Sequence, residues 1–365
     1  MLEPIQKWIY RVKANVPGAK EQLDARLADR LKLSLKGLHG ERLCLTGYQT
    51  LVERAAILRA MYEDTPVHRS VRDIILLDAF NSATIEGART TVAQVKQSAD
   101  HPITKDDKMV VNTIKGSNYA FRTPITEKNI RHLWETVVAG VCENEFCRGR
   151  LYRDGMVYIG NASRTVHTPA APEQLPQLME NLFRFCQEPE PEMLIRSFVA
   201  HFYFVYVHPF CDGNGRTARI LNTSLLYHGG YEKIRNLSLS SAINRELSGY
   251  YSSMTNSELV LSENGTPWLD LSPFVSYMLD AFERCLIDAA LSRNVLTGHE
   301  TLLLTRMNKV GVGAEITSEK AAKILGNSRD AARRTLRNLV NKGYLTVDEQ
   351  HVPYVYRLQQ HIPET

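Results

Sequence analysis

The stretch HPFCDGNGRTAR, His208 to Arg219, places a histidine, an aspartate, two glycines around an asparagine, and two arginines within twelve residues. It follows the apolar run SFVAHFYFVYV, Ser197 to Val207. Proline biases the residue before it away from the helical region, so a helix ends at His208. CDGNG is a turn with almost no side-chain bulk. RTARILNTSLLYHGG then reads as a second helix, with Ala218, Leu221 and Leu225 on one apolar stripe and Gly229-Gly230 as its stop. The glycines therefore sit at a helix N-terminus, where free N–H groups and the positive end of the dipole favour an anion, most naturally a phosphate. Arg216 and Arg219, three apart, project from the same side of the first turns and suit a polyphosphate. Asp212, just before the nest, is placed to hold Mg²⁺ bridging it. His208 has the pKa range of a group that takes a proton from an attacking hydroxyl. The plain alternative is a helix cap with incidental charges. It would serve for any one of these residues, and the joint pattern argues against it.

Two other phosphate motifs fail on the same stretch. A Walker loop needs Gly-Lys-Ser/Thr, and the chain contains no Gly-Lys pair. GNGRTA fits the loose dinucleotide pattern, with Ala218 in the third position. That pattern needs a preceding strand and an acid about 20 residues on at the end of a second strand. Here His-Pro interrupts the entry, and Glu232 follows a Gly-Gly turn.

The chain has 365 residues, 44% apolar and 23% charged, as for two or three globular domains. No apolar run approaches the roughly 20 residues of a membrane span. The start, MLEPIQKWIYRVKANVPG, has no signal-peptide core, so a cytoplasmic location is expected. The six cysteines are scattered; they read as free thiols and make a zinc site unlikely on spacing. The net charge of +4 is concentrated: between His299 and Leu358 stand ten lysines and arginines against six acids. That asymmetry points to a separate C-terminal module, with a boundary near Ala290–Gly298.

Most of the chain reads as helix. Pro17–Leu38 and Ser70–Gly87 carry helix formers with few breakers. Thr126–Gly140 starts on a capping threonine. Pro172–Gln187 and Glu192–Val207 follow, and the one clear hairpin is MVYIGNASRTVHTP, Met156 to Pro169. In the C-terminal module, Ser318 and Ser328 are good N-caps on either side of Gly326-Asn327. A short helix, that turn and a longer helix make a helix-turn-helix, and GYLTV through YVYRL makes a small wing. Ala332, Leu336 and Leu339 form the core stripe; Arg329, Arg333 and Arg337 share another face, available to DNA. Winged helices also dock proteins and form dimers, so DNA and a homo-oligomer both stay open.

HPFCDGNGRTAR resembles the signature of the Fic (fido) family, whose members transfer AMP from ATP to hydroxyl side chains of target proteins. The resemblance covers about Val71 to Phe274. It implies His208 as the general base and Asp212 as the Mg²⁺ ligand. Gly213, Asn214 and Gly215 would lie around the α-phosphate, with Thr217 and Ala218 in the same loop-helix segment, and Arg216 and Arg219 would bind the β- and γ-phosphates. A phosphorylating branch of the family has lysine at the position of Gly215 and no terminal arginine; this sequence departs from it at both places, which favours AMP transfer.

Other stretches gain meaning from the resemblance. Glu86 ends a helix, where the dipole disfavours an anion, and alone it reads as a solvated glutamate. In many Fic proteins a Ser/Thr-x-x-x-Glu-Gly/Asn helix inhibits the enzyme, and Ser82, Glu86 and Gly87 match it. Glu86 would pair with Arg219, and Ser82, one turn earlier, would bond the carboxylate. The hairpin matches the family's flap, which holds the target segment by strand addition, with Val157, Tyr158, Ile159 and Gly160 facing the phosphates. Tyr250 and Tyr251 resemble the tyrosine pair near the adenine, with Asn256 close by; adjacent tyrosines cannot share a helix face, so one belongs to the core.

The expectation is a mainly α protein: a Fic-type helical bundle with a small β-hairpin flap, plus a C-terminal winged helix-turn-helix. Residues 1–120 form an N-terminal helical region carrying the inhibitory helix (about 71–87), 121–290 the catalytic core, and 299–358 the winged helix. The implied function is protein adenylyltransfer from ATP with Mg²⁺, autoinhibited by Glu86. The alternatives are removal of AMP, and a nucleotide-sensing DNA-binding regulator.

Overall fold

The computed structural model describes residues 3–65, 70–97, 102, 104–142, 150–161, 164–291, 298–311, 313–341, 344–348, 350 and 352–359. Ala162 and Ser163 of the expected hairpin turn, Cys147 and Lys342 lie outside these residues. The chain divides into two compact units, Met1–Ile287 and Asp288–Thr365.

The first unit opens with α1 (Ile5–Lys13), α2 (Ala19–Ala28), β1 (Arg30–Lys36), β2 (Arg42–Thr46) and α3 (Tyr48–Asp64). The Pro17–Leu38 stretch, expected to be helical, is thus helix only from Ala19 to Ala28 and strand from Arg30 to Lys36. In RLKLSLK leucines alternate with polar residues, and this period of two prevailed over the helix propensity of leucine and lysine. Next come α4 (Val71–Ile85), α5 (Val92–Gln97), α6 (Lys105–Ala120) and α7 (Glu127–Val138). Thr126 caps α7 as expected, its hydroxyl accepting the Asn129 N–H at 3.2 Å.

The flap hairpin is β3 (Ile159–Asn161) and β4 (Arg164–His167), antiparallel with Ile159 opposite His167. Beyond it lie α8 (Leu175–Phe185), α9 (Met193–Val207), α10 (Asn214–His228), α11 (Leu239–Arg245), α12 (Leu247–Ser257), β5 (Leu261–Glu263), β6 (Thr266–Asp270) and α13 (Ser272–Leu291). Apolar on nearly every face, α9 is the centre of this unit, and α10 packs along it, also largely buried.

The hairpin is not the only sheet. A four-stranded sheet has the order β1-β2-β6-β5, with β2 parallel to β6 and the other pairs antiparallel. Its β5–β6 turn is Asn264-Gly265, both at positive φ (50° and 76°), as a tight hairpin turn requires. A buried carboxylate fastens the sheet: Asp270 accepts from the Thr46 hydroxyl (2.9 Å) and the Ser272 N–H (3.1 Å).

In the second unit, α14 (Gly298–Asn308), β7 (Glu315–Thr317), α15 (Ser318–Leu325), α16 (Arg329–Asn341), β8 (Leu345–Asp348) and β9 (Val355–Leu358) follow in order. The strands form an antiparallel sheet of order β7-β9-β8. Leu303, Met307, Ile316, Ala321, Ala332, Leu336, Leu339 and Tyr356 fill its core. The α15 cap falls one residue earlier than expected: Thr317 accepts the Lys320 N–H, whereas Ser318 is buried and accepts from Arg329 Nε at 3.2 Å. Ser328 does serve α16, accepting the Ala331 N–H at 3.3 Å.

Cys44, Cys142 and Cys186 are free thiols, and the Cys285 thiol donates to the Ser238 carbonyl at 3.2 Å. Cys211 is disulfide-bonded, against the expectation of six free thiols. Among the described residues, no group of three or more His, Cys, Asp or Glu is arranged to hold a metal ion, and no helix is long and apolar enough to cross a membrane.

Candidate active site

Helix α9 ends at Val207, and His208 caps it in the left-handed region (φ 55°, ψ 62°), a conformation uncommon for a residue with a Cβ. Two contacts fix it there. Its Nδ1 lies 3.1 Å from the Val205 carbonyl, which can only accept, so Nδ1 carries the proton and Nε2 keeps its lone pair. Its own carbonyl accepts from Arg153 Nε at 2.8 Å. Burial, with the neighbouring charges of His167 and Arg153, lowers the His208 pKa to about 4, against the opposing hydrogen bond to Val205 and charge of Glu86. At neutral pH the ring is a neutral base.

The loop after His208 is held by side chains. The Asn214 amide closes a ring on the Phe210 backbone: its oxygen accepts the Phe210 N–H (3.0 Å) and its nitrogen donates to the Phe210 carbonyl (2.7 Å). Trp134 stacks on Phe210 (ring centroids 4.5 Å) and donates to the Asp212 carbonyl at 2.7 Å. Gly213, at φ 74°, turns the chain into α10, and a Cβ there would strike Val138. The first bond of the α10 ladder runs from Thr217 N–H to Gly213 C=O (2.9 Å), so the amides of Asn214, Gly215 and Arg216 precede the ladder.

Glu86 approaches that helix start. It caps the C-terminus of α4, with Gly87 at φ 89° turning the chain away. Its Oε1 accepts from Arg219 Nη2 at 2.6 Å. A Cβ at Gly215 would collide with the same oxygen, so the carboxylate rests on the glycine at the start of α10. Burial would raise the Glu86 pKa, but Arg219, with help from Arg216 and His208, holds it below the usual carboxylate range. Ser82 does not bond Glu86. Its hydroxyl accepts from Arg219 Nε (2.8 Å) and its carbonyl from Nη2 (2.9 Å), because the buried guanidinium has donors to place and the carboxylate needs none from serine.

A cavity of about 450 Å³ gathers His208, Gly215, Arg219, Glu86, Tyr250 and Tyr251 with Ile159 and Gly160 of the flap. Tyr250 is buried with its hydroxyl 3.1 Å from His201 Nε2 and Tyr251 is half exposed, yet both line the cavity, so neither is confined to the core as expected. Several expected residues do not line the cavity. Asn256 lies off the wall, and Met254, Thr255 and Glu258 line it instead, since these follow Tyr251 at helical spacing. Val157 and Tyr158 precede the lining part of the flap, and Tyr158 is exposed. Thr217 and Ala218 are buried within α10. Arg216 diverges from Arg219: it is buried, donates to the Val137 carbonyl at 3.3 Å and lies 3.5 Å from Asp212 Oδ1. Asp212 is turned to its own loop, Oδ1 accepting the Gly213 N–H at 2.5 Å, with its side chain half exposed. In the second unit, Arg329, Arg333 and Arg337 are exposed along α16 opposite its buried stripe.

Three residues that shape the site gave no signal in isolation. Arg153, buried, donates to the carbonyls of His208, Gly155 and Ala170. His167 and Glu258, from β4 and the end of α12, form an ion pair at the cavity wall. Only the fold brings them together.

A buried histidine, the start of a helix and a buried arginine thus share one cavity in a helical scaffold. Residues 124–226 match the Fic/DOC family model. Over 287 residues the chain is 27% identical to a protein adenylyltransferase Fic of Drosophila grimshawi, covering 74% of this chain and 55% of that one. It spans about half the length of the curated relatives it matches. The fold is similar to the crystal structure of a Fic family protein from Desulfovibrio desulfuricans G20, at TM-score 0.58 and 22% identity, over 87% of this chain and 97% of that one. It is also similar to Fic-1 (residues 134–508) from C. elegans, at TM-score 0.51 and 16% identity, covering 67% of this chain and 73% of that chain.

Proposed function

We propose that this protein transfers AMP from ATP to a serine, threonine or tyrosine hydroxyl of a target protein and is held back by Glu86. The observation that carries the reading is the sharing of one cavity by His208, Gly215, Arg219 and Glu86. The first-turn amides of α10 and the Arg219 guanidinium would bind phosphate oxygens, and the tyrosine-lined part of the cavity would take the base. His208 Nε2 would accept the proton of the attacking hydroxyl. A new bond forms between that oxygen and the α-phosphorus, the bond to the bridging oxygen breaks, and pyrophosphate leaves with the electron pair. Asp212 would hold Mg²⁺. A single half-exposed carboxylate suits a cation that keeps most of its waters and takes one or two carboxylates beside phosphate oxygens. When bound, the ion supplies charge stabilisation for the polyphosphate. The flap would hold a segment of the target.

The test is transfer of label from α-labelled ATP to protein. Two other readings have their own support. Glu86 is ionised and faces the cavity of His208, which suits removal of AMP by water; release of AMP from a labelled protein would favour it. The arginine row on α16 suits a DNA-binding regulator built on a winged helix, which would bind ATP and DNA and label nothing.

A further inference from the structure

His167 closes the second strand of the flap, and both of its ring nitrogens face acceptors. Nδ1 is 2.8 Å from Glu258 Oε2, and Nε2 is 2.7 Å from the Tyr206 carbonyl. A neutral imidazole has one N–H, and neither a carboxylate nor a carbonyl can donate. Two short contacts of this kind require the imidazolium.

The contacts join three elements. His167 belongs to β4, Tyr206 to the last turn of α9 two residues before His208, and Glu258 caps the C-terminus of α12. A carboxylate at a helix C-terminus is disfavoured by the dipole unless a cation answers it. Both His167 and Glu258 line the nucleotide-sized cavity, and most of each side chain is buried.

We propose that the His167–Glu258 pair is a protonation-dependent latch that ties the base of the flap hairpin to α9 and α12 at the cavity wall, making His167 a positioning residue for the nucleotide and for the target segment lying on the flap. This rests on the flap and cavity serving the transfer reaction proposed above. The segments that lead into and out of the hairpin have a separate, pH-insensitive fastening, because Arg153 donates to the carbonyls of Gly155, Ala170 and His208. The hairpin is otherwise well exposed at Tyr158 and Val166, so the latch bears on its position strongly.

The charged and titratable groups around His167 are few. Glu258 faces it from α12. From α9, Tyr206 presents its carbonyl and ring, with its hydroxyl turned away to accept the Leu38 N–H. His208 and Arg153 lie beyond, both coupled to the same site. Burial lowers the His167 pKa, but the hydrogen bond and charge of Glu258 and the Tyr206 carbonyl outweigh it and raise the value above that of an ordinary histidine. The latch is therefore closed below the raised value. As pH climbs through that value one proton leaves, one contact becomes acceptor against acceptor, and the base of the hairpin is released from α9 and α12.

The experiment is ¹⁵N NMR titration of the imidazoles together with amide hydrogen exchange of Ile159, Gly160, Thr165 and Val166. Wild type, Glu258→Gln and His167→Gln are compared in the full chain. The expected result is a doubly protonated His167 in wild type titrating above the usual value of about 6.5. Its value should fall in Glu258→Gln, and flap exchange should be roughly tenfold faster in both variants once corrected for intrinsic rates. Added to Glu86→Gly, either variant should raise the KM for protein target more than it lowers kcat. A neutral His167 at pH 6, or flap exchange equal in all three proteins, overturns the latch. The imidazole titration and the amide exchange do not use AMP transfer, so a failure of the proposed activity would be seen separately.

Discussion

Arg219 and Glu86 meet at 2.6 Å between Nη2 and Oε1, one from the second turn of α10 and the other from the end of α4, with the glutamate seated on Gly215. The same guanidinium is held from behind by the hydroxyl and carbonyl of Ser82. The carboxylate therefore occupies the corner where the amides of a helix start and a buried arginine converge, the position a phosphate would take. Because Glu86 is held below the usual carboxylate range, lowering the pH to about 5 leaves this contact intact.

Ser82→Ala should loosen this arrangement without removing the charge. It deletes the acceptor of Arg219 Nε, a hydrogen bond to a buried charged group worth about 1.5–3 kcal/mol. The expected outcome is a lower thermal midpoint and label transfer intermediate between wild type and Glu86→Gly. Transfer equal to wild type, with the midpoint lowered, would show that Ser82 only supports the fold.

His208→Ala should abolish label transfer, by on the order of 10²–10⁴ in rate, and leave ATP affinity nearly unchanged. In a Glu86→Gly background, the single-turnover rate should be left unchanged by acidification from about pH 7 to pH 6. It should fall only as acid approaches the lowered His208 value of about 4, because protonation removes the base. Loss of rate on acidification through the ordinary histidine value would contradict the neutral buried base.

Acid should also weaken the fold. His201 and His208 are lowered by burial to about 3 and about 4, below their unfolded value of about 6.5. In that window the unfolded chain binds more protons, so their contribution is complete above about pH 6.5 and is lost as pH falls through the folded values. Chemical denaturation at pH 7 and pH 5 should give a lower midpoint at pH 5; equal midpoints would reject it.

A chain ending at residue 291 should stay folded, and with Glu86→Gly should still label itself or a generic substrate, since each unit has its own core. Salt-sensitive DNA retention should appear only in the full chain and drop in Arg333→Ala. A folded fragment unable to bind ATP would place the second unit within the catalytic machinery.

The helical body was legible because local rules and tertiary packing agree there: the apolar run of α9, the His-Pro stop and the glycine turn all point to one loop. The strand β1 is hard to read locally because leucine and lysine also form helices, and β5–β6 because a three-residue strand before the Asn264-Gly265 turn is too short to show alternation. Within the site, residues next to one another in the signature could be assigned together. The divergence of Arg216 from Arg219 could not, since it depends on which carbonyl of α7 lies nearby. Arg153, His167 and Glu258 are far apart in the chain, and their partners are backbone carbonyls or each other, which no local pattern announces.

The most direct test of the central claim is label transfer from α-labelled ATP by wild type, Glu86→Gly and Glu86→Gln, with ATP binding measured alongside. Glutamine keeps the shape and removes the charge, so it separates electrostatics from loosening of the helix end. Removing a charge-assisted contact of about 1.5–3 kcal/mol should raise productive occupancy by roughly tenfold or more, with wild type labelling weakly and both variants strongly. If both bind ATP and label no better than wild type, Glu86 does not restrain this site; if they instead lose an AMP-releasing activity, the glutamate serves hydrolysis.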